Sequence, residues 1–131
     1  MPQLDGHILL IEEDPTLLDI TAFRLEMLGY TISTCRTTEE AFAWLLDNLP
    51  DLTVMGHTAD VDPIEFLNRL SNDQRTSAMP VLYLSTKSDP EEVQRAYNAG
   101  ADEYLVAPYD PLVLEQKIAD LALALAESDS N

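Results

Sequence analysis

The chain has 131 residues, enough for one ordinary domain and too few for two. Hydrophobic residues make up 46% of it, which favours a folded domain with a sizeable core over a disordered chain. There are 7 lysines and arginines against 24 aspartates and glutamates, for a formal net charge of −17. This charge disfavours direct binding to nucleic acid or anionic membrane surfaces and favours protein partners that present a basic face.

The N-terminus and the single cysteine are typical of a cytoplasmic protein. No apolar run approaches the roughly 20 residues of a membrane helix, and the N-terminal segment lacks the basic and apolar regions of a signal peptide. Cys35 stands alone, which excludes an internal disulfide, and we interpret it as a small buried hydrophobe.

Five short apolar runs alternate with amphipathic segments along the chain. The runs predict buried parallel strands at His7–Ile11, Thr31–Cys35, Leu52–Met55, Val81–Leu84 and Glu103–Val106. The segments between and after them predict helices at Pro15–Leu28, Thr38–Asn48, Pro63–Leu70, Pro90–Ala99 and Pro111–Ala126.

Asp-Pro pairs begin four of these helices. The aspartate is a strong N-cap because its carboxylate accepts a hydrogen bond from the first turn, and proline suits the first helical position. These N-cap aspartates are Asp14, Asp62, Asp89 and Asp110, and a capping box of Thr37 and Glu40 begins the remaining helix.

Apolar spacing predicts the buried faces of the first and last helices. The first should bury Leu18, Thr21, Leu25 and Leu28, and the last should bury Leu114, Ile118, Leu121 and Leu125. Residues 7–126 then form one α/β domain, a (βα)5 doubly wound three-layer sandwich around a parallel five-stranded sheet. Residues 127–131 are predicted to be a frayed tail or the start of a linker.

Functional groups of such sheets collect at the carboxyl ends of the strands. Glu12 and Glu13 follow the first strand, Gly56 the third, Ser85 the fourth and Ala107 the fifth. Adjacent glutamates provide oxygen ligands that suit Mg²⁺, and they are equally compatible with a role as helix-dipole partners.

Five ordered segments resemble response-regulator receiver domains: residues 8–15 (ILLIEEDP), 29–30 (GY), 50–55 (PDLTVM), 80–85 (PVLYLS) and 100–109 (GADEYLVAPY). The resemblance covers residues 7 to about 125 and implies a flavodoxin-like sheet in the order 2-1-3-4-5. It also implies phosphoryl transfer from a partner's histidine to an aspartate after the third strand. In that chemistry an acidic pair holds Mg²⁺, and a hydroxyl and a lysine contact the phosphoryl oxygens.

Carried over residue by residue, the resemblance places a glycine at the acceptor position and an alanine at the lysine position. Gly56 has no nucleophile and Ala107 has no cation, whereas Glu12, Glu13 and Ser85 keep their roles. We therefore predict a vestigial pocket of these five residues without a catalytic residue. Mg²⁺ should bind weakly at Glu12 and Glu13, if at all, and no other cofactor is expected.

Two acids downstream of Gly56 are possible substitutes for the acceptor, and a histidine follows Gly56 directly. We interpret Asp62 as a helix cap and Asp60 as a solvated turn residue, although Asp60 stays open as a substitute acceptor. His57 is interpreted as a loop residue, with a metal-binding or pH-sensing role as the alternative.

The resemblance also identifies a switch and an interaction surface. Ser85 and Tyr104 occupy the positions that repack together on phosphorylation in the family, and without a phosphoryl group we expect them to stay in one state. Glu91, Arg95 and Lys117 lie on the predicted interaction face, and the oligomeric state is left open.

Our first hypothesis is a pseudo-receiver of two-component signalling, a non-enzymatic module that binds proteins and is not phosphorylated at the usual position. The alternative is a live receiver that catalyses its own phosphorylation on an acid such as Asp60. A weaker alternative is a flavin or other small-ligand binder, which Glu12-Glu13-Asp14 disfavours because phosphate sites need loops that present N–H groups.

Overall fold

A computed structural model describes residues 6–129 of the chain. Its strands are β1 (His7–Ile11), β2 (Thr31–Cys35), β3 (Leu52–Met55), β4 (Val81–Ser85) and β5 (Glu103–Val106). Its helices are α1 (Pro15–Met27), α2 (Thr38–Asp47), α3 (Pro63–Asn72), α4 (Pro90–Ala99) and α5 (Pro111–Asp129). Strands and helices alternate in the predicted order.

The five strands form one parallel sheet in the order β2-β1-β3-β4-β5, which confirms the flavodoxin-like fold class. The core has two layers because alternate residues of each strand point to opposite faces. Leu9, Ile11 and Met55 belong to the cluster that includes Phe66 of α3. The other cluster joins strand residues such as Val54 to α1 and α5.

The helix starts agree with the sequence prediction. Asp14, Asp62, Asp89 and Asp110 each accept hydrogen bonds from backbone N–H groups two or three residues further on. Thr37 accepts from the N–H of Glu40, as the predicted capping box requires, but the Glu40 carboxylate accepts from the N–H of Arg36, one residue before the N-cap. Each cap satisfies donors that the first helical turn leaves without a partner, which explains why these boundaries were predictable.

Leu28 was predicted to be buried, but it is 45% exposed. Helix α1 ends at Met27, and Leu28 is the C-cap before Gly29, whose φ is 106°. Because the chain turns away at the cap, helical spacing no longer places Leu28 on the inner face. Leu18, Thr21 and Leu25 are buried as predicted.

The other differences concern the ends of elements. Helix α3 continues to Asn72, past the predicted end at Leu70, and β4 includes Ser85. Helix α5 continues to Asp129, past the predicted end at Ala126. Residues 130–131 and the side chain of Leu125 lie outside the described part.

Two predictions from the composition concern the burial of Cys35 and membrane-spanning helices. Cys35 is buried as predicted, and burial followed by the negative charge of Glu40 raises the pKa of its thiol to about 11. Between residues 6 and 129, no helix is both long enough and apolar enough to span a membrane.

Candidate functional site

The carboxyl ends of the strands surround a cavity of about 430 Å³. All five residues of the predicted vestigial pocket line it: Glu12, Glu13, Gly56, Ser85 and Ala107. The charged lining is predominantly acidic, with Glu12, Glu13, Asp14, Asp62 and Glu92 against Lys87 and His57. The chain therefore brings together the residues that the sequence singled out, in a pocket that favours cations over anions.

Gly56 leaves no room for a side chain. A Cβ atom at this position would lie 2.4 Å from Oε1 of Glu12 and 2.9 Å from the carbonyl oxygen of Ile11. The N–H of Gly56 donates to that same Ile11 carbonyl at 2.7 Å, which holds the two strand ends together. Glu12 thus occupies the space into which a side chain at position 56 would project.

The Glu12 carboxylate is held in this place by backbone donors. Its Oε2 accepts from the N–H of Asp14 at 3.0 Å, and its Oε1 accepts from the N–H of His57 at 3.2 Å. Glu12 is 7% exposed, so these hydrogen bonds compensate for the burial of its polar atoms. The carboxylate therefore joins the loop after β1 to the loop after β3.

Glu13 is partly exposed and pairs with the neighbouring loop. Its Oε1 lies 3.0 Å from Nε2 of His57, and the N–H of Glu13 donates to the His57 carbonyl at 2.9 Å. His57 was interpreted as a loop residue, and it does lie in the loop after β3, where its side chain is 73% exposed. Both members of the predicted acidic pair thus have partners within the chain.

This donor set does not fit a magnesium site well. Mg²⁺ requires near-octahedral coordination by oxygen atoms, commonly carboxylates. The oxygens of Glu12 already accept backbone N–H groups, Glu13 contacts His57, and Gly56 provides no third carboxylate. Within the described residues, no group of three or more His, Cys, Asp or Glu side chains is arranged to hold a metal ion.

Asp60 lies in the loop after β3, as predicted, and it has a structural role that the sequence did not reveal. Its side chain is exposed, but its carboxylate accepts from the N–H and hydroxyl of Thr38 and from the N–H of Glu39. Partial burial raises the pKa of Asp60, and these hydrogen bonds outweigh that effect and lower it below its ordinary value. Asp60 is a second cap of α2, supplied by a distant loop, so local sequence could not reveal it.

Ser85 and Tyr104 lie on neighbouring strands and are connected through Lys87. The Tyr104 hydroxyl donates to the Lys87 carbonyl at 2.7 Å, and the Lys87 N–H donates to Oγ of Ser85 at 3.1 Å. Tyr104 is buried and packs edge-to-face on Tyr83. Burial, together with the nearby Tyr104 and Glu92, raises the pKa of Tyr83 to about 12.

The cations of the predicted interaction face are paired within the chain. Arg95 contacts Glu92 at 3.1 Å, and Lys117 contacts Glu103 at 2.9 Å. Glu91 is exposed at the start of α4. The face therefore presents little free positive charge, in agreement with the negative charge of the whole chain.

A second cavity, of about 310 Å³, lies between α1 and α5 and was not predicted from the sequence. Leu17, Ile20, Leu114 and Pro108 are among its lining residues, and Leu17, Ala107 and Tyr109 line both cavities. Burial, and to a smaller extent the negative charge of the nearby Glu12, raises the pKa of Tyr109. A sequence signal for this cavity is present in α1, where the apolar residues Leu17 and Ile20 lie outside the predicted buried face.

Comparison with known proteins gives matches over most of the chain. Residues 8–119 match the sequence profile of the response regulator receiver domain. The chain is 30% identical over 124 residues to the DNA-binding dual master transcriptional regulator RpaA of Synechocystis, covering 94% of this chain and 50% of RpaA. It is 29% identical over 125 residues to the uncharacterized 14.6 kDa protein in the sodA1 3' region of Leptolyngbya boryana, covering 95% of this chain and 94% of that protein.

A solved structure shows the same similarity. The signal receiver domain of a signal transduction histidine kinase from Syntrophus aciditrophicus is 28% identical, with a TM-score of 0.84 and 91% coverage of both chains. The chain spans about half the length of RpaA and of the phosphate regulon transcriptional regulatory protein PhoB of Pseudomonas aeruginosa.

Proposed function

The chain belongs to the response regulator receiver domain family, and we propose that it acts in two-component signalling as a pseudo-receiver. Receiver domains are signalling modules rather than classical enzymes. A pseudo-receiver keeps the fold and its protein-binding surfaces but accepts no phosphoryl group at the end of β3. We propose that its partners are proteins with basic surfaces, because a net charge of −17 repels nucleic acid and attracts cations.

One observation carries this proposal: the acceptor position is a glycine whose side-chain space is taken by Glu12. Phosphoryl transfer needs a nucleophile that is positioned in line with the donor. Gly56 has none, and a Cβ there would lie 2.4 Å from Glu12 Oε1. The loss therefore extends beyond one residue, because the neighbouring carboxylate is hydrogen-bonded into the vacated space.

The charges around the position support the same proposal. Phosphoryl transfer is promoted by cations that neutralise the oxygens of the transferred group. Ala107 contributes no charge, and the two glutamates beside Gly56 repel a phosphoryl group. We propose that Mg²⁺ binds weakly, if at all, because Glu12 and Glu13 already have partners.

Asp60 is poorly suited to replace the acceptor. Its carboxylate accepts three hydrogen bonds at the N-terminus of α2, and phosphorylation would have to disrupt this cap. The lowered pKa of Asp60 reflects how well these donors match its ionised form.

The proposal is tested by offering the chain a phosphoryl donor. We expect no mass increase in intact-mass spectrometry after incubation with Mg²⁺ and acetyl phosphate, under conditions that phosphorylate a receiver with an intact acceptor aspartate. We also expect no amide shifts at Ser85 or Tyr104 when Mg²⁺ and beryllofluoride are added.

Phosphorylation in this assay would overturn the proposal, and the Asp60→Asn variant would show where it occurs. Loss of the mass increase in that variant would establish the live-receiver alternative. A flavin spectrum of the purified chain would instead favour the small-ligand alternative.

A further inference from the structure

Helices α2 and α3 pack on each other through aromatic residues. The rings of Phe42 and Phe66 have centroids 4.8 Å apart, and Cζ of Arg69 lies 3.8 Å from the centroid of the Phe42 ring. Phe66 is buried in the core, whereas Phe42 is only partly buried. The Arg69 guanidinium is therefore held over an apolar surface by a cation–π contact.

The surface beside this contact is apolar and exposed. A cavity of about 210 Å³ lies between the two helices, with Leu45 and Leu70 in its lining. Leu46 also lines it and is 77% exposed, more than any other large apolar side chain of the described residues. We call this cavity, with Leu46 and the two arginines that line it, Arg69 and Arg75, the α2–α3 patch. A pocket beside an exposed leucine and an arginine is suited to an apolar anchor residue of a partner.

Arg75 is fixed at the C-terminus of α2. Its guanidinium donates to the carbonyl oxygen of Leu45 at 2.6 Å and to that of Asn48 at 3.2 Å. The last carbonyls of a helix carry partial negative charge, so they hold this side chain in place without the full countercharge of a carboxylate. Both guanidiniums of the patch are thus held in position before a ligand arrives, which reduces the entropy lost on binding.

The two arginines of the patch differ from the other cations of the chain. Among the described residues, no carboxylate forms an ion pair with Arg69 or Arg75. Of the other cations, three are paired with glutamates and two line acid-rich cavities. These five are Arg24, Arg95, Lys117, Arg36 and Lys87. The α2–α3 patch therefore presents positive charge on a chain that is otherwise strongly acidic.

The acids near the patch leave this positive charge accessible. Asp73 lines the cavity, and its Oδ1 accepts from the backbone N–H of Arg75 at 2.9 Å. Glu65 and Asp47 are exposed on α3 and α2, and neither is ion-paired with the patch. The net charge of −17 repels an acidic partner at long range, but physiological salt screens this repulsion beyond about 8 Å. Binding at contact then depends on the local charges.

We propose that the α2–α3 patch binds a segment of a partner protein in which acidic residues flank a large apolar one. The apolar side chain enters the cavity, and a carboxylate accepts hydrogen bonds from the Arg69 guanidinium, whose planar donors match a carboxylate. Arg75 adds a second positive charge. This inference goes beyond the proposed function, which concerns partners with basic surfaces.

The patch is also separate from the vestigial pocket. Helix α2 leads to the start of β3 and α3 to the start of β4, so their C-terminal halves lie toward the amino ends of the strands. The pocket lies at the carboxyl ends. Binding at the patch therefore does not depend on whether the pocket accepts a phosphoryl group.

The probe is a fluorescein-labelled peptide of about 18 residues, long enough for several helical turns, with leucines along one face and glutamates flanking them. A matched peptide has glutamine in place of every glutamate. Fluorescence anisotropy with the full chain at physiological ionic strength measures both affinities. We expect the glutamate peptide to bind about tenfold more tightly. Because the whole chain is acidic, this preference can arise only from a local cationic site.

Variants of the chain test the contribution of Arg69. In Arg69→Gln the preference for the glutamate peptide should fall to about threefold or less, which is the part due to Arg75. The matched control is Gln94→Glu, which changes the net charge by the same amount at an exposed position of α4. There the preference should stay at about tenfold.

A second pair of variants tests the apolar contact. Leu46→Ser should weaken both peptides by about fivefold or more, because an exposed leucine that contacts the peptide is lost. Leu112→Ser is the control, since Leu112 is 65% exposed on α5, and it should leave both affinities unchanged.

Equal binding of the two peptides would overturn the proposal, and so would an unchanged preference in Arg69→Gln or an unchanged affinity in Leu46→Ser. A dimer of the unmodified chain that disappears in Leu46→Ser would also overturn it, by identifying a second copy as the occupant. If a variant does not fold, amide shifts of the unmodified chain decide. Glutamate-peptide shifts centred on α2 and α3 support the proposal, and shifts centred elsewhere overturn it.

Discussion

The positions of Gly56 and Ala107, which we propose correspond to the acceptor and the lysine of working receivers, differ in what surrounds them. At Gly56 the missing volume is filled, since Glu12 lies where a Cβ would project and is held by two backbone N–H groups. At Ala107 no neighbouring side chain fills the corresponding space, and the residue lines two adjoining cavities. The pocket is therefore filled beside Gly56 and open beside Ala107.

The difference shows that a small residue at the carboxyl edge of the sheet can be followed by either a filled or an open space. A vacated space is filled when a neighbouring side chain can reach it and satisfy its own polar atoms there. Glu12 meets both conditions at Gly56. At Ala107 the space lies at the surface, where it can remain open without the energetic cost of a buried cavity. This contrast predicts that restoring the two family side chains will have very different effects.

The largest effect is expected for Gly56→Asp. We expect a loss of about 3 kcal/mol in the free energy of unfolding, because the new side chain overlaps Glu12 and the Ile11 carbonyl and places two carboxylates together. Urea denaturation measures it. Gly56→Ala, which keeps the overlap without the charge, should lose about 2 kcal/mol. A Gly56→Asp protein as stable as the unmodified chain would show that Glu12 does not block this position.

The second largest loss in the free energy of unfolding is expected for Glu12→Ala. The N–H groups of Asp14 and His57 lose their acceptor and a small void remains, so we expect a loss of about 2 kcal/mol by urea denaturation. Glu13→Ala is the matched control, with a change below about 0.5 kcal/mol, because its contact with His57 is largely exposed. In the Glu12→Ala background, Gly56→Ala should cost less than in the unmodified chain. Additive effects would contradict direct contact between the two positions.

A smaller effect is expected for Asp60→Ala, which tests whether the acid near Gly56 has a structural role. Loss of its hydrogen bonds to Thr38 and Glu39 should cost about 1 kcal/mol at pH 7. The folded-state pKa of Asp60 is lowered, so its contribution is present above the unfolded pKa and is lost as pH falls through the folded pKa. The difference between the variant and the unmodified chain should therefore shrink in strong acid.

The control for this prediction is Asp19→Ala, which removes an exposed aspartate in the middle of α1. We expect little change at either pH, in the usual range for a surface substitution. If Asp60→Ala and Asp19→Ala behave alike, Asp60 is not a cap of α2.

The smallest effect is expected for Ala107→Lys. The side chain can extend into open space, so the free energy of unfolding should change by less than about 0.5 kcal/mol. The lysine should also lower the pKa of Tyr109, which burial and Glu12 now raise, because a nearby cation stabilises the phenolate. Ultraviolet titration of the tyrosines measures this shift. Ala107→Met, of similar length without charge, should not produce it, and an equal shift in both variants would contradict the electrostatic explanation.

The fold was predictable because its determinants are local. Asp14, Asp62, Asp89 and Asp110 begin their helices through contacts with residues two or three positions away. The predictions that were wrong concern the ends of helices. Leu28 is the C-cap of α1, so it no longer follows the helical spacing of buried residues. Helix α3 continues past its predicted end to Asn72. The shared location of Glu12, Glu13, Gly56, Ser85 and Ala107 at the carboxyl edge was also predictable, because parallel strands bring their ends to one edge.

By itself, the sequence determined the five strands and five helices, their helix caps, and the absence of a nucleophile at Gly56 and of a cation at Ala107. Only the tertiary structure decided that Glu12 fills one space while the other stays open, and that Asp60 caps a helix 21 or 22 residues away. The physical reason is the range of the contacts. Caps and hydrophobic spacing act within a few residues, whereas the contact between Glu12 and His57 spans 45 residues and exists only once the strands are side by side.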